Sequence, residues 1–164
     1  WTGRYCHTYF DEFGDVSKGA DIIYNAKHAE SVYVMHWTVL SYMKKDWISF
    51  LCFAKVKRQQ CDYICRSASL SGIRRPLSCR TSATCNERSF GTEFLDYKMA
   101  VKTVKSFEDA LRHIQENSSR HSECIVTENK ERAALFTKIV DAACIYTNVS
   151  TAFTDGRQFG WEQK

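Results

Sequence analysis

The sequence predicts an α/β fold built around a mostly parallel β-sheet with helices on both sides. From residue 99 to residue 147, segments of strand composition alternate with segments of helical periodicity, and the connections between them are short. With 164 residues, of which 44% are hydrophobic and 26% charged, the chain is long enough to bury a substantial core. We therefore expect a three-layer domain in which right-handed crossovers join parallel strands.

The first 60 residues contain four predicted elements. Residues 5–10 have strand composition, and residues 15–27 have helical periodicity with Asp15 placed to cap the helix. Residues 31–42 become β-branched in their second half, which indicates a strand. Residues 44–57 are predicted to form a further helix.

The middle of the chain has neither periodicity. Residues 59–90 are rich in Ser, Arg and Cys and contain the only proline, Pro76, so we expect a loop-rich insertion there. Residues 41–90 hold ten Lys or Arg against three Asp or Glu, an excess of seven positive charges in a chain whose net charge is +4. Such a stretch is compatible with nucleic-acid binding, but a solvated face is commoner and is the interpretation we prefer.

Regular patterns return after residue 91. Residues 99–104 are predicted to form a strand, and Ser106 begins a helix with a capping box completed by Asp109. Strands are also predicted at residues 123–127 and 143–147, with a second helix between them. The predicted apolar stripes are Phe107, Ala110, Leu111 and Ile114 in the first helix, and Ala133, Phe136 and Val140 in the second, which Thr127 or Asn129 is placed to cap.

The eight cysteines form no CxxC pair and no cluster with histidine, so no metal site is predicted. We interpret most of them as free thiols, with Cys124 and Cys144 as small core residues. Cys6 and His7 are adjacent in a predicted strand and therefore point to opposite faces, which excludes a joint role as nucleophile and base.

The longest apolar stretch, residues 47–54, is far shorter than the roughly 20 residues that span a bilayer. The first residues show neither a signal-peptide pattern nor an initiator Met. We expect a cytoplasmic protein without membrane contact, and a chain that is part of a longer one.

A polar loop, residues 148–156, follows the last predicted strand. Ligands of open parallel sheets bind beyond the carboxyl ends of the strands. The loop offers hydroxyl and carboxylate groups at Ser150, Thr151, Thr154 and Asp155. We expect these groups to face a substrate, and the Asp155-Gly156 pair to form a turn as well.

Several stretches follow the pattern of one enzyme family, densely over residues 91–160, more thinly over residues 3–27 and not evidently over residues 43–88. The main ones are Gly91-Thr92-Glu93-Phe94-Leu95-Asp96, Val101-Lys102-Thr103-Val104, His121-Ser122-Glu123, Ile125-Val126-Thr127-Glu128, Val140-Asp141-Ala142-Ala143, Ser150-Thr151 and Phe153-Thr154-Asp155-Gly156. Together they resemble γ-glutamyl phosphate reductase (glutamate-5-semialdehyde dehydrogenase). This enzyme of proline biosynthesis belongs to the aldehyde dehydrogenase superfamily and is also found fused to glutamate kinase in bifunctional pyrroline-5-carboxylate synthase.

The resemblance implies a fold and a reaction. Residues 3–160 would form the cysteine-bearing, aldehyde-dehydrogenase-like catalytic domain, and the nucleotide-binding domain that precedes it in the full enzyme is expected to be absent. In the family, a cysteine thiolate attacks γ-glutamyl phosphate and expels phosphate, and hydride from NADPH reduces the thioester to glutamate 5-semialdehyde. The implied cofactor is NADP, the implied partner is this small-molecule substrate, and a homo-oligomer is left open.

The resemblance also assigns site residues. Tyr33 occupies the family's cysteine position, and a phenol with a pKa of about 10 is a poor replacement for a thiolate. Glu93 stands where a carboxylate binds the hydroxyls of the nicotinamide ribose, with a solvated loop glutamate as the alternative. Ala152 replaces an arginine of the family. The substrate side is assigned to His121, Asn148, Ser150, Thr151, Thr154 and Asp155, although a surface role is the alternative for His121.

We therefore expect a reductase domain that is truncated or divergent and weakly active or inactive alone. One alternative is a catalytically dead paralogue that associates with a partner subunit. The other is a basic nucleic-acid-binding module formed by residues 41–90.

Overall fold

The computed structural model describes residues 5–28, 36–41, 63–66, 81–84, 90 and 98–155. Strands and helices alternate along much of this part of the chain. The strands are β1 (Tyr5–Phe10), β2 (His36–Ser41), β3 (Tyr63–Arg66), β4 (Thr81–Thr84), β5 (Lys98–Thr103), β6 (Ser122–Val126) and β7 (Cys144–Thr147); the helices are α1 (Val16–His28), α2 (Phe107–Asn117) and α3 (Lys130–Ile139), followed by a 3₁₀-helix at Thr151–Asp155.

The described strands form one seven-stranded sheet in the order β4-β3-β5-β2-β1-β6-β7. Every neighbouring pair is parallel. β1 lies between β2 and β6, so that Thr8 pairs with Val39 on one side and with Cys124 on the other. The predicted parallel α/β architecture is confirmed.

The three helices begin where local signals place them. Asp15 Oδ1 accepts a hydrogen bond from the amide of Lys18 at 2.8 Å, and Ser106 Oγ accepts one from the amide of Asp109 at 3.1 Å. Asn129, one of the two predicted caps of α3, accepts from the amides of Glu131 and Arg132. The other, Thr127, supports this cap, because its Oγ1 accepts from the amide of Asn129 at 3.1 Å.

Alternation along the central strands divides the core between the two faces of the sheet. Tyr9 and Ile125 point to the face covered by α2 and α3, where they pack with Phe107, Ala110, Ile114 and Phe136. The other face is covered by α1, and its cluster consists of Phe10, Ile22, Cys124 and Val126. Helices on both faces confirm the three-layer arrangement. Of the predicted stripes, Leu111 and Val140 are only partly buried against the first cluster.

The prediction of a loop-rich stretch at residues 59–90 is wrong at two places, where the chain forms β3 and β4. Tyr63–Arg66 pairs with both β5 and β4, so β3 is an interior strand of the sheet. Two strands of four residues each are too short to show a two-residue period against a background of Ser, Arg and Cys. The predicted helix at residues 44–57 lies outside the described residues.

None of the helices in the described part of the chain combines the length and apolar composition that a membrane span requires. Across the same residues, no group of three or more His, Cys, Asp or Glu side chains is arranged to hold a metal ion. Cys124 is fully buried, as expected of a small core residue, whereas Cys144 is only half-buried; Cys6 is fully buried as well.

Two glycines allow the aromatic ring of Phe10 to lie against the start of α1. A Cβ added at Gly19 would lie 2.1 Å from Phe10 Cε2, and one added at Gly14 would lie 2.5 Å from Phe10 Cε1 and 2.8 Å from the backbone oxygen of Val126. Phe10 itself is buried, with 1% of its surface exposed. The glycine within α1 is therefore required by packing, although it lowers helix propensity.

We predict that Gly19→Ala destabilises the protein. Alanine improves the helix propensity of this position by about 1 kcal/mol, but the clash with Phe10 forces a shift in the core that typically costs about 1–3 kcal/mol. Urea unfolding followed by circular dichroism measures the change. Ser17→Ala, at an exposed position of the same helix, is the matched control and should be close to neutral. A Gly19→Ala variant as stable as the control would show that Phe10 can move away without cost.

Candidate functional site

The carboxyl ends of β1, β6 and β7 are joined by a buried polar cluster. Thr127, just after β6, donates its hydroxyl to Asp11 Oδ2 at 2.8 Å, and the Tyr9 hydroxyl donates to Asp11 Oδ1 at 2.9 Å. Asp11 is 1% exposed and its amide donates to the Val126 carbonyl at 3.1 Å. These bonds lie at the carboxyl edge of the sheet, which is where ligands of parallel α/β proteins bind.

Asn148, just after β7, completes this cluster. Its Oδ1 accepts from the amide of Thr127 at 2.9 Å, and its Nδ2 donates to the carbonyl of Thr127 at 2.8 Å. Its own amide donates to the carbonyl of Ile125 at 2.9 Å. The backbone of Asn148 is left-handed, with φ at 56°, a conformation that asparagine tolerates better than most residues.

Beyond Asn148 the chain turns back over the face of the sheet that α1 covers. The Cys124 thiol donates to the carbonyl of Val149 at 3.1 Å. The 3₁₀-helix that follows is near α1, β6 and β7, and the hydroxyl of Thr151 approaches the Cys6 thiol. Of the predicted loop, only its first residues lie at the carboxyl edge.

The hydroxyls of Ser150 and Thr154 are hydrogen-bonded within the protein. Ser150 Oγ accepts from the amide of Ala152 at 3.2 Å, and both Ser150 and Thr151 are buried. Thr154, which is half-buried, donates to the Tyr146 hydroxyl at 3.0 Å. Asp155 ends the 3₁₀-helix, and its side chain is outside the described part of the structure.

His121 does not lie near the start of this loop. His121 immediately precedes β6 and so lies at the amino end of the strand, the opposite edge from Asn148. Tyr33 and Glu93 fall outside the described residues, and their assigned roles stay predictions. The structure therefore brings together Asn148 and residues 150–155, but not His121.

Neither Cys6 nor Cys124 provides a nucleophile at the carboxyl edge. Burial raises the pKa of Cys6 to about 12, with Glu123 adding to the rise and the hydroxyl of Ser122 opposing it. Burial also raises the pKa of Cys124 to about 12. Because the thiolate is the reactive form, both cysteines are inert at neutral pH, in agreement with the structural role expected for Cys6.

Comparisons with known proteins agree with this architecture. No protein-family model matches the chain. A γ-glutamyl phosphate reductase of Bacteroides thetaiotaomicron is 58% identical over 157 residues, covering 94% of this chain and 37% of the relative. That of Bacteroides fragilis is 53% identical over 162 residues, covering 94% and 38%.

The chain belongs to the γ-glutamyl phosphate reductase family.

Solved structures show the same relationship. The crystal structure of γ-glutamyl phosphate reductase from Thermotoga maritima has a TM-score of 0.79 and 32% identity, and covers 97% of this chain and 38% of that one. The enzyme from Saccharomyces cerevisiae has a TM-score of 0.70 and 28% identity, covering 96% and 39%. An acetylating aldehyde dehydrogenase from Geobacillus thermoglucosidasius, 17% identical with a TM-score of 0.64, shares the fold. The predicted aldehyde-dehydrogenase-like fold is confirmed.

These matches also set the extent of the resemblance. The chain spans less than two fifths of the length of the γ-glutamyl phosphate reductases it matches. An alignment over 94% of the chain extends far beyond residues 91–160. The alignment spans residues 43–88, where the sequence motifs alone give no evident match to the family.

The sequence did not reveal a second polar group, which is buried beneath α2. The amide of His7 donates to Glu123 Oε2 at 2.7 Å, and His7 Nδ1 lies 3.0 Å from the same oxygen. Both side chains are fully buried, and Ser118 Oγ donates to Glu123 Oε1 at 2.5 Å. A glutamate inside a buried strand was the available signal, since a buried carboxylate requires a partner. Its partner is 116 residues away, too far for a local pattern to identify.

His113 of α2 extends this buried group toward β5. Its ring meets that of His7 edge to face, with centroids 5.7 Å apart. Lys102 Nζ lies 2.8 Å from His113 Nδ1, and an ammonium group can only donate, so Nδ1 accepts and the neutral ring carries its proton on Nε2. Burial first, then the charges of Lys102 and His7, lower the pKa of His113 to about 3.

We predict that His113 makes stability depend on pH. Its folded-state pKa of about 3 lies below the ordinary value of 6.5, so the unfolded chain binds the extra proton as the pH falls below 6.5. The free energy of unfolding should then decrease by up to about 1.4 kcal/mol per pH unit through this group. Urea unfolding at pH 8, 7, 6, 5 and 4 should show a shallower decline for His113→Gln. Between pH 7 and 8 the two curves should be parallel, and parallel curves over the whole range would contradict the prediction.

Proposed function

We propose that this chain forms the core of the catalytic domain of a γ-glutamyl phosphate reductase, a domain that in the family reduces γ-glutamyl phosphate to glutamate 5-semialdehyde. The observation that carries the proposal is the anchored loop after β7, which begins at the carboxyl edge of a parallel sheet in a chain 58% identical to a named reductase. The loop at Asn148–Asp155 would form one wall of the substrate site.

The loop would act through its shape and backbone more than through its hydroxyls. Ser150 and Thr151 are buried, and the Ser150 hydroxyl already bonds the Ala152 amide. Thr154 is half-buried and could exchange its bond to Tyr146 for one to a substrate. We therefore assign Thr154 the direct contact and the two buried residues the support of the turn.

The chain is expected to be a poor catalyst because it lacks a reactive thiolate at the family's cysteine position. The family reaction requires a thiolate, and Cys6 and Cys124 are buried with raised pKa values. By resemblance, Tyr33 stands at the family's cysteine position, and a protonated phenol does not replace a thiolate at neutral pH. We propose that the reductase chemistry is strongly reduced in this chain.

The described residues do not fit a dinucleotide cofactor. The connections that follow β1, β5 and β6 contain a single glycine, Gly14, and its Cβ position is filled by the ring of Phe10. The same edge carries the carboxylate of Asp11 and the ion pairs Glu12–Arg132 and Glu128–Lys18, and it offers no Gly-rich turn for a pyrophosphate. NADP, the cofactor implied by the resemblance, would be held by other residues, with Glu93 as the contribution that the family pattern assigns.

A segment exchange tests the proposal. The chain replaces the matching segment of the Bacteroides thetaiotaomicron reductase, and NADPH oxidation is followed by absorbance with γ-glutamyl phosphate generated in situ. We expect kcat/KM to fall by at least about 10³-fold relative to the parent, because the nucleophile is missing. Tyr33→Cys in the exchanged enzyme should recover at least about tenfold of that loss by restoring a thiolate.

Tyr33→Phe and Tyr33→Ser are the matched controls and should recover nothing. Circular dichroism and gel filtration establish that each exchanged enzyme folds. If the unmodified exchanged enzyme turns over and Tyr33→Phe leaves the rate unchanged, the nucleophile lies elsewhere. If every variant folds and Tyr33→Cys recovers no activity, the assignment of Tyr33 is wrong.

A further inference from the structure

We infer that Asn148 is a positioning residue: its carboxamide fixes the end of β7 to the end of β6 and thereby sets the path of residues 149–155. This inference rests on the proposed function, since it concerns how the loop of that site is held. It also changes the role expected for Asn148, from a contact with the substrate to a support of the segment that makes such contacts.

Both polar atoms of the Asn148 side chain already bond the backbone of Thr127. Oδ1 accepts from the Thr127 amide at 2.9 Å and Nδ2 donates to the Thr127 carbonyl at 2.8 Å. The two bonds imitate one step of a β-ladder between strands that have already ended at Val126 and Thr147. One N–H and one lone pair stay unused, but the two bonds to Thr127 already fix the orientation of the carboxamide.

The backbone conformation of Asn148 supports the same role. At a φ of 56° the chain reverses its direction. Residues other than glycine adopt this conformation at a cost in free energy. The two bonds of the side chain to Thr127, 21 residues earlier in the chain, offset this cost and select one direction for the turn. Glycine would permit the same conformation but many others as well.

Asn148 is hydrogen-bonded to the buried cluster at the strand ends on one side, and it continues into the loop on the other. Thr127 is held by Asp11, which also accepts from Tyr9, so three strand ends share one hydrogen-bonded group. On the loop side, the next carbonyl, that of Val149, accepts from Cys124 at 3.1 Å. The amides of Ala152 and Phe153 then donate to Ser150. A change at Asn148 is therefore expected to reach the 3₁₀-helix within a few residues.

Amide hydrogen exchange of the whole chain, read by NMR, tests this inference without any need for activity. Asn148→Gly keeps the left-handed backbone accessible but removes the carboxamide. We expect about tenfold faster exchange at the amides of Thr127, Ala152 and Phe153. Exchange at Ala110 in α2 and at its C-cap Ser118 should change by less than twofold.

Asn117→Gly is the matched control, because Asn117 also donates from its carboxamide to a backbone carbonyl, that of His113, at 2.9 Å. It should accelerate the amides at the end of α2 and leave Ala152 and Phe153 within twofold. Faster exchange at Thr127 alone in Asn148→Gly would overturn the inference, because the loop would then be held by other contacts. An equal acceleration at every amide would also overturn it, since Asn148 would then contribute only to global stability.

A kinetic measurement separates this inference from the proposed function. In the segment-exchanged Tyr33→Cys enzyme, Asn148→Gly should raise the KM for γ-glutamyl phosphate about tenfold and change kcat by less than threefold, because the loop would bind the substrate without taking part in the chemistry. A loss confined to kcat would overturn the inference. If that enzyme shows no turnover at all, the assignment of Tyr33 within the proposed function fails, and the exchange rates still decide whether Asn148 positions the loop.

Discussion

Burial of Glu123 in β6, an interior strand of the sheet, is the constraint on which much of the remaining structure depends. Every residue of β6 is buried, so a carboxylate in this strand must obtain its hydrogen bonds inside the protein. It obtains them from the amide and imidazole of His7 and from the hydroxyl of Ser118. These bonds fix the pairing of β6 with β1 and the distance of the end of α2 from the sheet. Removing either partner would leave a buried charge or a buried imidazole without its bonds, which is why the group is expected to act as a unit.

The same two-residue period that buries Glu123 under α2 gives each face of the sheet a different character. His7 and Glu123 point to the face of α2, whereas Cys6, Ser122 and Cys124 point to the face of α1. The second face combines thiols and hydroxyls with the ring of Phe10, and the loop after Asn148 turns back over it. A one-residue slip between β1 and β6 would exchange these sets, so the carboxylate would meet a cysteine in place of its imidazole. Register and polar pairing therefore enforce each other.

Local signals in the sequence were sufficient for most elements near the two ends of the chain. Residues 5–10 and the capped helices α1, α2 and α3 were predicted because caps and apolar stripes lie within a few residues of one another. β3 and β4 were missed because four residues without alternation carry no local pattern, and only their pairing with β5 makes them strands. The start of the site loop was predicted from the rule for parallel sheets. Its fold-back was not, since it depends on the φ of Asn148 and on a bond from Cys124, 25 residues earlier. The burial of Ser150 and Thr151 depends on the same fold-back and was not predicted either.

The packing of Phe10 between Gly14 and Gly19 has a consequence for the order of folding. Phe10 and Gly19 are nine residues apart in sequence, so their contact closes a short loop and loses little chain entropy. The bond between His7 and Glu123 closes a loop of 116 residues and must wait for most of the chain. β1 with α1 is thus a local unit that can assemble before β6 arrives, and its tight glycine contact is made while the edge of β1 that will receive β6 is still open. β1 would in this way pack against α1, its neighbour in sequence, before β6 joins the sheet.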